Sequence, residues 1–156
     1  MKTLHQVPTV RVEMLIRRPV HEVFRAFVDP AVTTKFWFTR SSGALEQGKR
    51  IRWDWEMYGA STEVEVIALE ENRRILIEWG APASTQVEWV FTPRPDHTTL
   101  VAITNAGFSG DGDEVVAQAL DSTQGFALVL CGLKALLEHE IQLNLVADKA
   151  PDAHVG

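Results

Sequence analysis

Five tryptophans in a chain of 156 residues are the side chains best suited to bind a ligand, because an indole ring offers a large apolar face. Four of them fall in stretches where apolar and polar residues alternate, as they do along a half-buried strand. The alternative is a core packed solid with the same side chains, since aromatic residues are usually buried. We predict that the wall of a pocket for a flat apolar molecule is formed by Trp37, Trp53, Trp55, Trp79, Trp89, Phe91, Phe108 and Phe126.

Apolar burial alone limits how tightly such a pocket could bind. Removing ~300 Å² of apolar ligand surface from water at ~25 cal/mol/Å² corresponds to about 7 kcal/mol, and the cost of association offsets a large part of it. Micromolar to millimolar affinity is therefore expected, and tighter binding needs polar groups aimed at the ligand. The candidates, each of which could equally be a satisfied strand or turn residue, are Tyr58, Gln86, Thr104 and Asn105.

The residue types that usually carry catalysis or hold metals are scattered along the chain. The histidines show no metal-ligand spacing, and one cysteine cannot complete a zinc site. We expect no catalytic residue, metal or cofactor. The alternative is an enzyme of the cyclase or hydrolase kind, in which a strand carboxylate turns inward and the apolar wall raises its pKa. We expect exposed side chains for His5, His21, His97, His139 and His154.

Strands and short helices must position these side chains. Pro19 opens a helix, and Asp29-Pro30 interrupts it before a second short helix that ends at residues 36–38. Alternation and short turns predict consecutive strands that form an antiparallel meander. These strands cover residues 9–16, 50–58, 62–69, 74–79, 86–92 and 98–104.

A helical period replaces the alternation from Asp113 onwards. A short helix over residues 114–120 should lead past Asp121-Ser122 into a long helix. The stripe of the long helix that is expected to be buried is Phe126, Leu130, Leu133 and Leu137. Cys131 in this run is expected to be a small buried hydrophobe. The helix has further apolar residues, so either other elements flank it on both sides or an exposed strip pairs with a second copy in a two-fold homodimer. These residues are Leu128, Val129, Leu136 and Ile141.

Length and composition indicate a single domain over residues 1–156, with a core over 8–145 and a flexible tail over 148–156. The net charge of −6 and the pI near 5.3 argue against nucleic acid and anionic membrane surfaces as partners. The most apolar run, residues 126–137, is shorter than the ~20 residues that a membrane span needs. One cysteine and no N-terminal signal pattern predict a cytoplasmic protein.

The segment over residues 19–38, PVHEVFRAFVDPAVTTKFWF, resembles the signature of proteins similar to the C-terminal domain of the heat-shock chaperone ATPase activator. The likeness covers residues 8–145 and continues to Gly107-Phe108 and Gly125-Phe126, where the family usually has Trp in place of Phe126. That family lies within the START-like (SRPBCC, helix-grip) superfamily. The resemblance implies an α+β helix-grip fold: a curved antiparallel sheet of about six to seven strands wraps around a long C-terminal helix, with two short helices after the first strand.

The superfamily implied by this resemblance includes lipid and sterol carriers, polyketide cyclases, plant hormone receptors and chaperone regulators. Since one fold hosts many functions, the function has to be inferred from the residues of the site. Our first hypothesis is a carrier, sensor or sequestering protein whose partner is a hydrophobic small molecule. The alternatives are an interaction module that regulates a chaperone ATPase and an enzyme acting on a cyclic substrate. The sequence shows no counterpart of the separate N-terminal domain of the chaperone activator, which argues against a chaperone partner.

Overall fold

Seven strands form one curved antiparallel sheet, which confirms the predicted α+β helix-grip fold and its meander. The computed structural model describes residues 6–156, and its strands lie in the order β1-β7-β6-β5-β4-β3-β2. The two-residue strand β2 was not predicted, because alternation cannot be recognised over so short a stretch. The strands are β1 Val10–Ile16, β2 Arg40–Ser41, β3 Arg50–Trp55, β4 Ala60–Glu70, β5 Arg74–Trp79, β6 Thr85–Arg94 and β7 Thr98–Ala106.

Two short helices follow β1, as predicted, but the second ends at Thr33 rather than at residues 36–38. They are α1 (Val20–Val28) and α2 (Pro30–Thr33). Asp29 separates them with an extended backbone, and its Oδ1 accepts a hydrogen bond from the Ala31 N–H at 2.9 Å. Proline at the first position of α2 has no N–H to leave unsatisfied. The pair is therefore fixed by local sequence.

One continuous helix, α3 (Gly112–His139), packs against the sheet, so the predicted break at Asp121-Ser122 is wrong. Aspartate and serine cost only about 0.5 kcal/mol each in a helix interior relative to alanine. Burial of Val115 before this point and Phe126 after it stabilises the helix through its packed face. The Ser122 hydroxyl is also engaged outside the helix, since it donates to Asn105 Oδ1 in β7.

The buried face of α3 meets the inward faces of the strands. Phe126, Leu130 and Leu133 are at most 4% exposed, and Leu137 is half-buried against the same core, which confirms the predicted stripe. Gly132 allows a close approach, because a Cβ atom at this position would lie 3.4 Å from the Cβ and the carbonyl oxygen of Phe36. The strands contribute Ile51, Val64, Val66, Ile75, Ile77, Val87, Val101 and Ile103 to this core.

The apolar residues that were expected to be surplus on α3 are mostly used inside the molecule. Leu136 packs against the core, and Leu128 and Val129 line the cavity described below. Ile141, which follows α3, is 50% exposed. Although α3 is long and apolar enough to cross a membrane by length and composition alone, one face of it packs against the sheet as the core helix of this fold.

Cys131 is exposed, so the prediction of a buried thiol is wrong. At about 100° per residue, it lies on the side of α3 opposite the buried Val129 and Leu133. The histidines were predicted correctly where the structure describes them, and His5 lies outside the described residues. The exposed ones are His21, His97, His139 and His154.

The chain after α3 folds back over the turn that follows β3. A short helix, α4, spans Leu145–Asp148. The Tyr58 hydroxyl donates to the carbonyl oxygen of Val146, and the Val155 N–H donates to the Met57 carbonyl oxygen at 2.9 Å. The tail, for which we expected flexibility, thus makes defined backbone contacts in the structure.

Candidate functional site

A cavity of about 570 Å³ lies between α3 and the sheet. Its volume falls in the range of roughly 300–1,000 Å³ that is typical of small-molecule pockets. Exposed lining residues from β4, α3 and the chain after α4 mark its rim. The lining residues are Trp37, Trp55, Tyr58, Ala60, Trp79, Ala83, Thr85, Asn105, Phe108, Gln118, Asp121, Ser122, Gly125, Phe126, Leu128, Val129, Val146 and Lys149.

The aromatic part of the lining centres on Trp79. Its ring is stacked with that of Phe126, with an interplanar angle of 26° and 5.9 Å between centroids. Trp55 meets Trp79 edge-on at 6.4 Å, and Trp37 meets Phe126 at 5.9 Å. Trp55 and Trp79 are only half-buried. A molecule in the cavity could therefore remove further indole surface from water.

Five of the eight aromatic residues predicted to bind a ligand line the cavity: Trp37, Trp55, Trp79, Phe108 and Phe126. The other three do not reach it. Trp53 and Trp89 are 1% exposed and Phe91 is 2% exposed, because other aromatic rings cover them. Phe38 stacks on Trp53 at 4.5 Å, and Phe24 packs edge-on against Phe91 at 5.2 Å. Alternation correctly assigns the face of each strand, but it does not show which inward rings other elements cover.

Asn105 forms the centre of a polar cluster in the cavity lining. It is 3% exposed, and its Nδ2 donates to Thr85 Oγ1 at 3.0 Å and to the Gln86 carbonyl oxygen at 2.8 Å. Its Oδ1 accepts from the Ser122 hydroxyl at 2.8 Å. Trp79 Nε1 also donates to Thr85 Oγ1, at 3.1 Å. The cluster satisfies the buried amide and joins β6, β7 and α3.

Two of the four predicted polar candidates line the cavity, namely Asn105 and Tyr58. The Gln86 side chain is exposed, and this residue contributes only its carbonyl oxygen to the cluster. Thr104 pairs with Arg11 of β1 and lies on the outer face of β7, because its neighbours along the strand point inward. The Tyr58 proton is donated to a backbone carbonyl, so its role in this arrangement is structural.

Sequence reasoning missed five polar residues of the lining. Thr85, Gln118 and Lys149 carried no signal, because a single polar residue in a turn, on a helix or in the C-terminal segment is ordinary. Asp121 and Ser122 did carry one, since they interrupt the apolar spacing of a helix. We interpreted that interruption as a helix break, whereas it marks the point at which α3 faces a polar cluster and the rim of the cavity.

Asp121 and Lys149 are the charged side chains of the lining, and both are exposed at the rim. Within residues 6–156, no cluster of three or more His, Cys, Asp or Glu side chains could hold a metal ion. The lining therefore combines apolar faces, hydroxyl and amide groups and two opposite charges. This chemistry suits binding of a small apolar molecule that has some polar atoms.

The sequence of the chain matches one protein-family model. The model described as "Activator of Hsp90 ATPase homolog 1-like protein" matches residues 17–138. No curated protein matches the chain at a significant level.

Solved structures with the same fold include proteins from several sources. The protein SSP2350 from Staphylococcus saprophyticus is 32% identical, with a TM-score of 0.76 over 87% of this chain and 96% of that one. Aha1 from Colwellia psychrerythraea, solved as a dimer in solution, is 18% identical, with a TM-score of 0.73 over 85% of this chain and 97% of that one. DynU16, a protein in the dynemicin biosynthetic locus, is 24% identical, with a TM-score of 0.72 over 86% of this chain and 48% of that one. The last two similarities concern the fold alone.

Proposed function

Because the chain belongs to the activator of Hsp90 ATPase homolog 1-like family, within the START-like (SRPBCC, helix-grip) superfamily, we propose that it binds an apolar or aromatic small molecule in the cavity between α3 and the sheet. The proposed role is that of a carrier, sensor or sequestering protein rather than a catalyst. The whole chain is proposed to work as a single domain, and its one cysteine fits the reducing conditions of the cytoplasm.

The half-buried rings of Trp55 and Trp79 beside a cavity of about 570 Å³ are the observation that carries this proposal. The cavity opens to solvent at its rim, so these indole faces are accessible to a small molecule. Trp53 and Trp89, by contrast, are packed in the core: neighbouring rings cover them, and each is 1% exposed. A ligand would give Trp55 and Trp79 a comparable cover.

The fold of this chain also occurs in DynU16, a protein in the dynemicin biosynthetic locus. At 24% identity the likeness does not carry a particular ligand over to this chain.

Gly125 offers a direct way to test the cavity, because it lines the space from within α3. A Cβ atom added there meets no atom within 4 Å, so a leucine side chain can project into the cavity and occupy part of it beside Phe126. Gln124→Leu places the same side chain at the neighbouring exposed position, outside the cavity. The two variants form a matched pair.

The test is a titration with phenylnaphthylamine, a neutral aromatic probe that fluoresces in apolar surroundings and accepts energy from tryptophan. We expect saturable binding in the micromolar range, at least about ten-fold weaker binding by Gly125→Leu, and unchanged binding by Gln124→Leu. Equal binding by both variants would contradict the proposal. Native mass spectrometry of the freshly purified protein, before and after denaturation, then gives the mass of any co-purified ligand.

The same pair separates this proposal from regulation of a chaperone ATPase. A protein that regulates a chaperone ATPase would bind the chaperone through its outer surface. Gly125→Leu, which changes the cavity, should therefore leave such regulation intact. If the protein stimulates a chaperone ATPase equally well as wild type and as Gly125→Leu, the chaperone activity does not depend on the cavity. Absence of any effect on the ATPase rate would remove that alternative.

We propose a homodimer as the oligomeric state. Aha1 of the same fold is a dimer in solution, and Val116 and Leu120, one turn apart on α3, are 43% and 67% exposed. Light scattering of the purified protein should give twice the chain mass, and Leu120→Lys should give the monomer mass. A monomer for the wild type would contradict this part of the proposal.

A further inference from the structure

Hydrogen bonds hold the backbone at Lys149, a charged residue of the cavity rim. Lys149 follows α4, and its N–H donates to the Leu145 carbonyl oxygen at 3.0 Å. Tyr58 fixes α4 from the other side by donating to Val146, and Val146 lines the same cavity. The backbone that carries Lys149 is therefore tied to the cavity wall, while its long side chain can follow a ligand at the rim.

The ammonium group of Lys149 has no acidic partner within 4.0 Å among residues 6–156. Lys49 and Lys134, by contrast, form ion pairs with Glu46 and Glu138 at 2.9 and 2.7 Å. Asp121 is the other charged side chain of the lining, and it does not pair with Lys149. The cation is thus available to a ligand.

The polar cluster around Asn105 provides a second donor for a ligand. Both Nδ2 protons of Asn105 and the proton of Ser122 are donated within the cluster. Thr85 Oγ1 accepts two hydrogen bonds, from Asn105 and from Trp79, and in the described part of the chain its own proton has no acceptor. Accepting two bonds strengthens a hydroxyl as a donor. The cavity therefore offers a hydroxyl donor and an ammonium donor, and both suit an oxygen acceptor.

We propose, resting on the proposed function, that the ligand is an aromatic anion that bears a carboxylate, sulfonate or phenolate group and that Lys149 selects it. The aromatic body lies against Trp55 and Trp79, and its anionic group lies at the rim beside Lys149. The match to the family model ends at residue 138, so Lys149 lies beyond the residues that the family model matches.

The test compares two probes that share one skeleton. Anilinonaphthalene sulfonate differs from phenylnaphthylamine by its anionic group, so the ratio of their dissociation constants isolates the contribution of the charge. We expect Lys149→Gln to weaken binding of the sulfonate about five- to ten-fold, as for one charge contact near the surface, and to change binding of the neutral probe less than two-fold. Lys149→Arg, which keeps the charge, should retain sulfonate binding.

Lys49→Gln is the matched control, because it makes the same change of net charge at a lysine that does not line the cavity. It should leave both probes unaffected. If Lys149→Gln changes both probes equally or neither, the inference about the anion is wrong while the proposed function stands. If Gly125→Leu fails to block the neutral probe, the proposed function itself is wrong. Tighter binding of a cationic analogue than of the sulfonate would also overturn the inference.

Discussion

The Ser122 hydroxyl donates to Asn105 Oδ1 at 2.8 Å and thereby joins the middle of α3 to β7 beside the cavity. Asn105 is 3% exposed, so its side chain is largely shielded from bulk solvent in the wild type. We expect Ser122→Ala to lower the free energy of unfolding by about 1–2 kcal/mol, because it leaves a buried acceptor unsatisfied. Urea denaturation measures the change.

Thr123→Ala is the control for that prediction. Within residues 6–156, the Thr123 hydroxyl bonds only to the Ala119 carbonyl oxygen of its own helix, and its side chain is exposed. Its loss should change the free energy of unfolding by less than about 0.5 kcal/mol. Equal effects of the two substitutions would show that the bond to Asn105 contributes no specific stability.

Gly125→Leu should stabilise the protein while it blocks the cavity. Leucine is a better helix former than glycine by roughly 0.8 kcal/mol, and a side chain at this position enters open space. We expect a higher melting temperature in calorimetry than for the wild type. A lower melting temperature would mean that the cavity is too narrow for the side chain, in contradiction to its volume of about 570 Å³.

Trp55 and Trp53, two positions apart on one face of β3, should respond differently to truncation. Trp53 is 1% exposed and stacked on Phe38, so Trp53→Ala should destabilise the fold by about 3–5 kcal/mol. Trp55→Ala removes a half-buried ring of the cavity lining. It should cost less stability and weaken binding of phenylnaphthylamine about ten-fold. Unchanged binding by Trp55→Ala would argue against this part of the aromatic wall.

Glu138, in the last turn of α3, should make the free energy of unfolding depend on pH. Its side chain is 9% exposed and accepts hydrogen bonds from the Arg17 N–H at 2.9 Å and the Lys134 ammonium at 2.7 Å. Burial alone would raise the pKa of the Glu138 carboxyl, but these hydrogen bonds, with the charges of Lys134 and His139, lower it below its usual value. Because the pKa in the folded state is the lower one, the stabilisation is complete above the unfolded pKa of about 4.3. It is lost as the pH falls through the folded pKa.

We therefore expect Glu138→Gln to lower the free energy of unfolding by about 1–2 kcal/mol at neutral pH and by less in strong acid. Urea denaturation over a series of pH values measures the difference between variant and wild type. Glu63→Gln alters an exposed ion pair with an N–O distance of 3.7 Å and should show little effect at any pH. A constant difference between Glu138→Gln and wild type across the series would contradict the assigned pKa shift.

The sheet could be predicted from the sequence because alternation along each strand reports directly which side chains face the core. The α1–α2 break was predictable for a similar reason, since Asp29-Pro30 acts through local backbone sterics. The continuity of α3 was not predictable in this way. Whether Ser122 ends a helix or bonds to another element depends on Asn105, which lies 17 residues away in the sequence.

The residues that line the cavity could be predicted from the sequence only in part. Trp53 and Trp55 are equivalent in the sequence pattern, but only Trp55 lines the cavity, because Phe38 covers Trp53. Lys149 reaches the cavity through the fold of the chain after α3, for which periodicity carries no information. Local patterns thus predict which residues face inward, while the contacts between distant elements decide which of them remain open to a ligand.

The most direct test of ligand binding in the cavity is a nuclear magnetic resonance titration that follows the indole N–H signals of the tryptophans with phenylnaphthylamine. We predict saturable shifts that are largest for Trp55 and Trp79, smaller shifts for the covered Trp53, and loss of these shifts in Gly125→Leu. Binding of the probe with no shift at Trp55 and Trp79, or the absence of saturable binding, would contradict the proposal that this cavity is the ligand site.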